Sequence, residues 1–574
     1  TQQINIANPH LSGFINGKFL LDDQGGDIDL QGQFGNANLK FAHYYYPTIL
    51  GEDTLHWLDT SILDGVGENI RLTLKGRLND FPFVDVKNNL DLKKGLFRIT
   101  ADVKNSTLEY GTGWPKIEDL ALKMLFEGDR MELKVNQGRQ LGNQITKAIV
   151  NIPQLDADDP MLLISANATG PVSEGILFVN KSPVAEVTQG FTTHLKTSGN
   201  GVLDLELKIP MNRVEDSLYK GRYQVTNGSL LSEDIPELTQ INGALEFTEN
   251  SLNANNIKAL SYGTPFTLNV NTGKDKIINV NAKGKLTPDL IQQFLPNSEH
   301  YFAGSSDFSA DIVIQKPQFS LNIRSDLVGL TSYLPTPLNK NANDKLPLNI
   351  EKKQALNGEL FSVNLGQILA AKIHNRVEQK QSQLDNINIR FSQGSGGFES
   401  APQTDTAPLN NTKGIYLRGD LDYLDVDAWR NVAKDLFPAG KSGGNALPIQ
   451  KIAVKINTLD AFDRRFNQLK LSNKASKDGF IATVDSREIT GDLEWQSQQN
   501  GKLIGRLSYL SIPESAPTRI NLNPLLPESF KNNANTKLSQ NYPAIDLIAN
   551  QFSFKGKSMG GLELAAAPQD NSWN

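Results

Sequence analysis

A polypeptide whose apolar residues recur at every second position has few options other than sheet, because that period sends alternate side chains to opposite faces of a strand. From Val202 to Pro210, Leu203, Leu205, Leu207 and Ile209 alternate with Asp204, Glu206 and Lys208. One face of such a strand is hydrocarbon and the other is charged. The pattern repeats at Ile70, Leu72 and Leu74 against Arg71, Thr73 and Lys75, and at Phe97, Ile99, Ala101 and Val103 against Arg98, Thr100 and Asp102. It returns at Met131, Leu133 and Val135, at Phe319, Leu321 and Ile323, at Ile415, Leu417 and Leu421, and at Phe552 and Phe554.

Turn signals separate these runs. Glu127-Gly128-Asp129, Asn227-Gly228, Asn242-Gly243 and Asn357-Gly358 predict antiparallel hairpins. A weak repeat of apolar residue, spacer, Gly, spacer, Leu accompanies the strands around Gly76, Gly284 and Gly419, and in shifted register at Gly505. These glycines fit inward positions where a twisted sheet bends or backbone approaches closely. Helices are few and short: Glu52 to Leu63, the segment opened by Thr287-Pro288, and Asp427 to Phe437, each suited to plug or cap a sheet. Gly, Ser, Pro and Asn concentrate in 394–413, 439–447 and 513–542, which read as loops. Strands resume after each, so the expected organisation is one array: repetitive sheet over 1–393, a flexible loop over 394–413, and its continuation over 414–574.

Chemistry finds no home in the sequence. The six histidines are scattered, with no pair at the spacing of a helical zinc site, and cysteine is absent, which removes thiolate nucleophiles and fits an oxidising compartment. Gly440-Lys441-Ser442-Gly443-Gly444 matches a nucleophile elbow only formally, since a helix precedes it where a strand is needed. Asp156-Ala157-Asp158-Asp159 lacks the Gly and distal Glu of a calcium loop and reads as a solvated turn. No cofactor is expected, and no enzymatic activity. With 57 basic and 63 acidic residues evenly spread, the chain offers no basic tract for nucleic acid. No run approaches the roughly 20 apolar residues of a membrane span. Beginning at Thr1 and stopping at Asn574, the chain reads as an excerpt of a longer protein whose anchor lies elsewhere.

One ordered series of motifs carries a resemblance. Tyr44-Tyr45-Tyr46-Pro47, Trp57-Leu58, Leu72 to Leu78, Phe81-Pro82-Phe83, Gly95-Leu96-Phe97 and Trp114-Pro115 follow one another, and later come Tyr333 to Leu338, Leu424 to Trp429 and Ala461 to Phe466. This order resembles the YhdP family of the AsmA-like superfamily over nearly the whole chain. The resemblance implies the periplasmic body of a protein of the Gram-negative envelope. That body would be held to the inner membrane by a helix outside this chain and would move phospholipid toward the outer membrane, with other envelope proteins as possible partners.

The fold class expected on both grounds is mostly β: an elongated, twisted, largely antiparallel sheet array curled into an open hydrophobic groove, with a few short helices. Strands about 4.8 Å apart would let it extend on the order of 150–200 Å. The residues expected to line the groove are Leu72, Leu74, Phe97, Ile99, Val103, Leu133, Val135, Leu203, Leu205, Leu207, Ile209, Leu321, Ile323, Ile415, Leu417, Phe552 and Phe554. Two alternatives stand beside it. A secreted or surface-attached adhesive β-solenoid binding polysaccharide or protein would have a packed interior, and a carbohydrate-active β-helix enzyme would need acids and aromatics gathered round a cleft.

Overall fold

The computed structural model describes residues 2–23, 25–46, 51–187, 191–232, 236–273, 277–315, 318–355, 358–378, 381–392, 413–437, 447–474, 480–496, 502–512, 544–569 and 572–573. Strands predominate among the described residues, and the chain divides into two compact units, Thr1–Val280 and Asn281–Asn574.

In the first unit, each long strand pairs antiparallel with the one before and the one after it. Gln2–Ala7, Ser12–Leu20, Asp27–Gly35, Ile62–Arg77 and Gly95–Leu108 begin the series. Ile117–Glu127, Arg130–Gln140, Asn143–Ile152, Met161–Pro171 and Lys196–Pro210 continue it, and Leu218–Leu231, Leu238–Thr248, Leu252–Ser261 and Thr264–Thr272 extend it. The turn predicted at Gly128 joins Glu127 to Arg130 as a tight hairpin.

Two other predicted turns are corrected. Asn227-Gly228 lies inside the strand Leu218–Leu231, and Asn242-Gly243 inside Leu238–Thr248. The left-handed backbone that Asn favours is spent here on a β-bulge: Asn227 has φ 49°, and the register shifts between Val225 and Gly228. Left-handed residues recur in register-shifted strands at Asn69, Asn105, Asp119, Gln240 and Asn256, with φ from 49° to 56°. Each bulge bends its strand and increases the local twist, so these polar residues work against a flat sheet.

In the second unit, the strands Ser306–Gln315, Gln318–Ser325, Leu348–Ala355, Gly358–Leu365, Leu369–Glu378 and Gln381–Ser392 form another antiparallel series. Ala355 pairs with Gly358, which puts a hairpin at the predicted Asn357-Gly358, although Asn357 itself lies outside the described residues. The strands Gly414–Asp425 and Ile449–Ala461 then add in parallel, as Ala544–Phe554 later does beside Lys502–Ser511. Parallel neighbours require a long connection. The loops expected over 394–413, 439–447 and 513–542 fall in these connections and, apart from Lys413 and Leu447, lie outside the described residues.

The helix expected over Asp427 to Phe437 spans Val426–Leu436, where the Asp425 carboxylate accepts from Ala428 N at 2.9 Å and caps its first turn. It is the crossover between two parallel strands. Val432 packs with Tyr301 and Leu334, Trp429 Nε1 donates to Thr336 O at 3.0 Å, and the Tyr301 hydroxyl donates to Asp435 Oδ2 at 2.6 Å. The helix predicted from Thr287-Pro288 spans Pro288–Phe294, with Thr287 as its cap. The one predicted over Glu52 to Leu63 stops at Ser61, because Ile62 already begins a strand. The sequence reading missed Val172–Asn180, a helix that follows Pro171 and packs on the strand Lys196–Pro210.

Candidate functional site

Cross-strand partners share a sheet face, so the register converts separate alternating runs into continuous rows. In the first unit one row runs Ala37, Gly67, Val103, Leu122, Val135, Ala148, Ala166, Leu205, Gly221, Phe247 and Leu252. Its neighbour runs Ala101, Met124, Leu133, Val150, Ile164, Leu207 and Tyr219. Flanking rows hold Ile15, Gly32, Leu72, Ile99, Phe126, Met131 and Ile152 on one side, and Ile145, Ala168, Leu203, Tyr223, Leu245, Ala254 and Val270 on the other. Leu74 pairs with Phe97 on that face, and Ile209 follows Leu207 by two residues. Every first-unit residue singled out from the sequence therefore lies on one face.

The second unit repeats the arrangement. Ala310, Ile323, Ile350, Val363, Ala371, Ile389, Leu417 and Ile452 form one row. Another runs Leu348, Leu365, Leu369, Phe391, Gly419, Val454, Leu471, Val484, Gly491, Leu507, Ala549 and Leu562. Leu321 and Ile415 share this face with Ile323 and Leu417, and Phe552, opposite Leu510, is followed by Phe554.

The rows are incompletely covered. Leu72, Leu74, Phe97, Ile99, Leu133, Leu203, Leu205, Leu207, Ile209, Leu321, Ile323, Ile415, Leu417 and Phe552 are half-buried; Val103 and Val135 are buried, and Phe554 is 41% exposed. The buried cluster Val103, Leu120, Leu122, Val135 and Ala148 is drawn from successive strands, with Leu39 from a preceding turn. Leu421, Ile456, Leu469 and Val484 cluster in the same way. Neighbours along the sheet provide this packing. Glycine lets a large side chain lie down on the face at Gly221, where a Cβ would run into the Phe247 ring, and permits close backbone approach at Gly419, where φ is 126° and a Cβ would run into Phe391 O.

The opposite face is charged. Arg98 and Arg130 both pair with Glu127, Lys104 with Glu68 at 2.7 Å, Lys134 with Glu132 at 2.6 Å and Arg222 with Glu246 at 3.0 Å. Exposed pairs of this kind contribute little stability, but they keep that face wet.

Leu122, Met124, Phe126 and the aliphatics of 348–392 were missed from the sequence. Their period-two signal was present but blurred by apolar outward residues such as Ala121, Leu125 and Leu360, and only pairing resolves it. The residues weighed for chemistry stay apart. His10 stacks on Phe41 with centroids 3.9 Å apart, and His374 Nδ1 lies 3.3 Å from Asp385. Asp159 pairs with Arg213 at 2.8 Å, and the 440–444 motif lies outside the described residues. Among the described residues, no group of three or more His, Asp or Glu is placed to hold a metal ion, and no helix is long and apolar enough to cross a membrane.

No solved structure matches the chain significantly. It is 22% identical over 541 residues to the intermembrane phospholipid transporter YhdP of Escherichia coli (strain K12), a match covering 91% of this chain and 40% of that protein. The chain thus spans well under half the length of that relative. The family model described as YhdP protein matches residues 1–574, from one end of the chain to the other, so the protein belongs to the YhdP family.

Proposed function

We propose that the apolar rows line a groove along which phospholipid acyl chains slide, and that the chain is part of a non-enzymatic intermembrane phospholipid transporter. The observation that carries this reading is the pairing of continuous hydrocarbon rows with half-burial: a face this long needs a second layer, and acyl chains can be that layer. Leu72, Leu74, Phe97, Ile99, Val103, Leu133, Val135, Leu203, Leu205, Leu207 and Ile209 contribute in the first unit. Leu321, Ile323, Ile415, Leu417, Phe552 and Phe554 contribute in the second. The name of the Escherichia coli relative supports phospholipid as the cargo.

Energetics explain why such a face suffices. Water contact costs about 0.8 kcal/mol per methylene, so a two-chain lipid with roughly thirty methylenes faces a barrier on the order of 20 kcal/mol when it crosses water unaided. A hydrocarbon face removes most of that barrier without bond chemistry. Transport would run in the periplasm from the inner toward the outer membrane. Attachment at either end, including an anchoring helix and any envelope partners, would come from regions outside this chain. A packed solenoid, by contrast, would need these rows sealed by protein.

The test is mass spectrometry of an organic extract of the purified chain. Phospholipid recovered in stoichiometric amount is expected. Repeated recovery of lipid-free protein from lipid-rich cells would overturn the reading.

A further inference from the structure

Lys352 stands where hydrocarbon is expected. In the second unit the register runs Ile312, Leu321, Lys352, Phe361, Ile373, Ile387 and Ile415, so its row is otherwise aliphatic or aromatic. Its Nζ lies 2.7 Å from Glu359 Oε1 and 5.4 Å from the centre of the Phe361 ring. The Lys352 and Glu359 side chains are only 19% and 25% exposed. The neighbouring charges Glu351 and Lys353 sit on the opposite face, paired with each other at 2.6 Å. They balance there without help from Lys352.

An ion pair partly withdrawn from water among aliphatic neighbours contributes little net stability by itself, because desolvation offsets much of its attraction. Position says what could use the charge. Ala355 pairs with Gly358, so Lys352 and Glu359 lie toward the hairpin end of their strands, where Glu359 stands opposite Gln354 and Asn375 in a polar row. The row Ile323, Ile350, Val363, Ala371 and Ile389 lies two residues further along, about 7 Å away. A lipid whose chains rest on that row brings its phosphate to the level of the Lys352 ammonium.

We propose that Lys352 binds the phosphate of a phospholipid lying on the apolar face, and that Glu359 is the resident competitor which takes the ammonium back when the lipid moves on. This rests on the groove reading above and adds a headgroup contact to it. Lysine suits the role, since its point charge attracts phosphate without the two-pronged lock an arginine would impose. The Phe361 ring steadies the ammonium from below.

The experiment compares binding of a fluorescent phosphatidylglycerol and of a diacylglycerol with the same chains to the 574-residue chain, in wild type, Lys352→Arg and the charge-balanced pair Lys352→Met with Glu359→Gln. Wild type is expected to prefer the phosphate-bearing lipid by about tenfold, the Arg variant to keep that preference, and the double variant to lose it while binding diacylglycerol as before. Inorganic phosphate at millimolar concentration should leave lipid binding unchanged. A full preference retained in the double variant overturns the proposal while leaving the groove intact. Displacement of the lipid by inorganic phosphate overturns the lipid as the source of the anion, and binding of neither lipid by wild type overturns both readings.

Discussion

Replacing Leu205 and Leu207 by lysine places two ammonium groups in adjacent hydrocarbon rows, between Ala166 and Gly221 in one and between Ile164 and Tyr219 in the other. The fold should survive, because both side chains are half-buried and a lysine stem can cover the same neighbours while its charge reaches solvent. Passage of lipid should not. Lifting two acyl chains across one strand's width, about 4.8 Å, strips roughly four methylenes from each, a cost of about 6 kcal/mol. That corresponds to a slowing on the order of ten-thousandfold as an upper bound, and partial rerouting should still leave a hundredfold effect. The assay is transfer of labelled phospholipid between donor and acceptor vesicles, with circular dichroism and a melting curve to establish folding. Asp204→Lys with Lys208→Asp, a charge exchange on the opposite face of the same strand, serves as control and should transfer lipid at the wild-type rate. Unchanged transfer by a folded Leu205→Lys, Leu207→Lys variant would refute the assignment of these rows to the lipid path.

Three further outcomes follow from local geometry. Gly221→Val should force the Phe247 ring off the face and cost about 1–3 kcal/mol by urea denaturation, whereas the same change at exposed Gly556, where a Cβ meets no neighbour but φ is 72°, carries only the backbone penalty. Burial first, and then the Asp156 carboxylate, raise the Asp129 carboxyl to about 6 from an ordinary 3.8. The folded chain thus binds a proton there more tightly than the unfolded chain. The associated stability is fully present below about pH 4 and is lost as pH rises to about 6, so Asp129→Asn should raise the melting temperature at pH 7 and flatten its fall between pH 4 and pH 6. Tyr301→Phe removes the donor to Asp435 and should cost about 1.5–3 kcal/mol, read as faster amide exchange across Val426–Leu436.

Alternation along single strands was enough to identify the fold class and to pick out one face, because side-chain direction in a strand depends only on position parity. Leu203 to Ile209 needed no partner to be assigned. The same logic misjudged Asn227-Gly228 and Asn242-Gly243: a left-handed residue, Asn227 in one strand and Gln240 in the other, serves a hairpin or a bulge equally well, and the choice rests on where neighbouring strands end. It also left unread the strand Ile117–Glu127, whose outward Leu125 hides its period, and the parallel joins at Gly414 and Ala544, which depend on pairing between residues distant in sequence.

What a strand's own residues dictate is which side is greasy; what they leave open is which residues of other strands stand beside them. The union of Val103, Val135, Leu205 and Phe247 into one row, the glycines beneath the large side chains, and the seating of Lys352 among isoleucines and phenylalanine all arise from register. Register is a property of pairs, selected by bulges, turns and packing acting together, and no single run of sequence contains it.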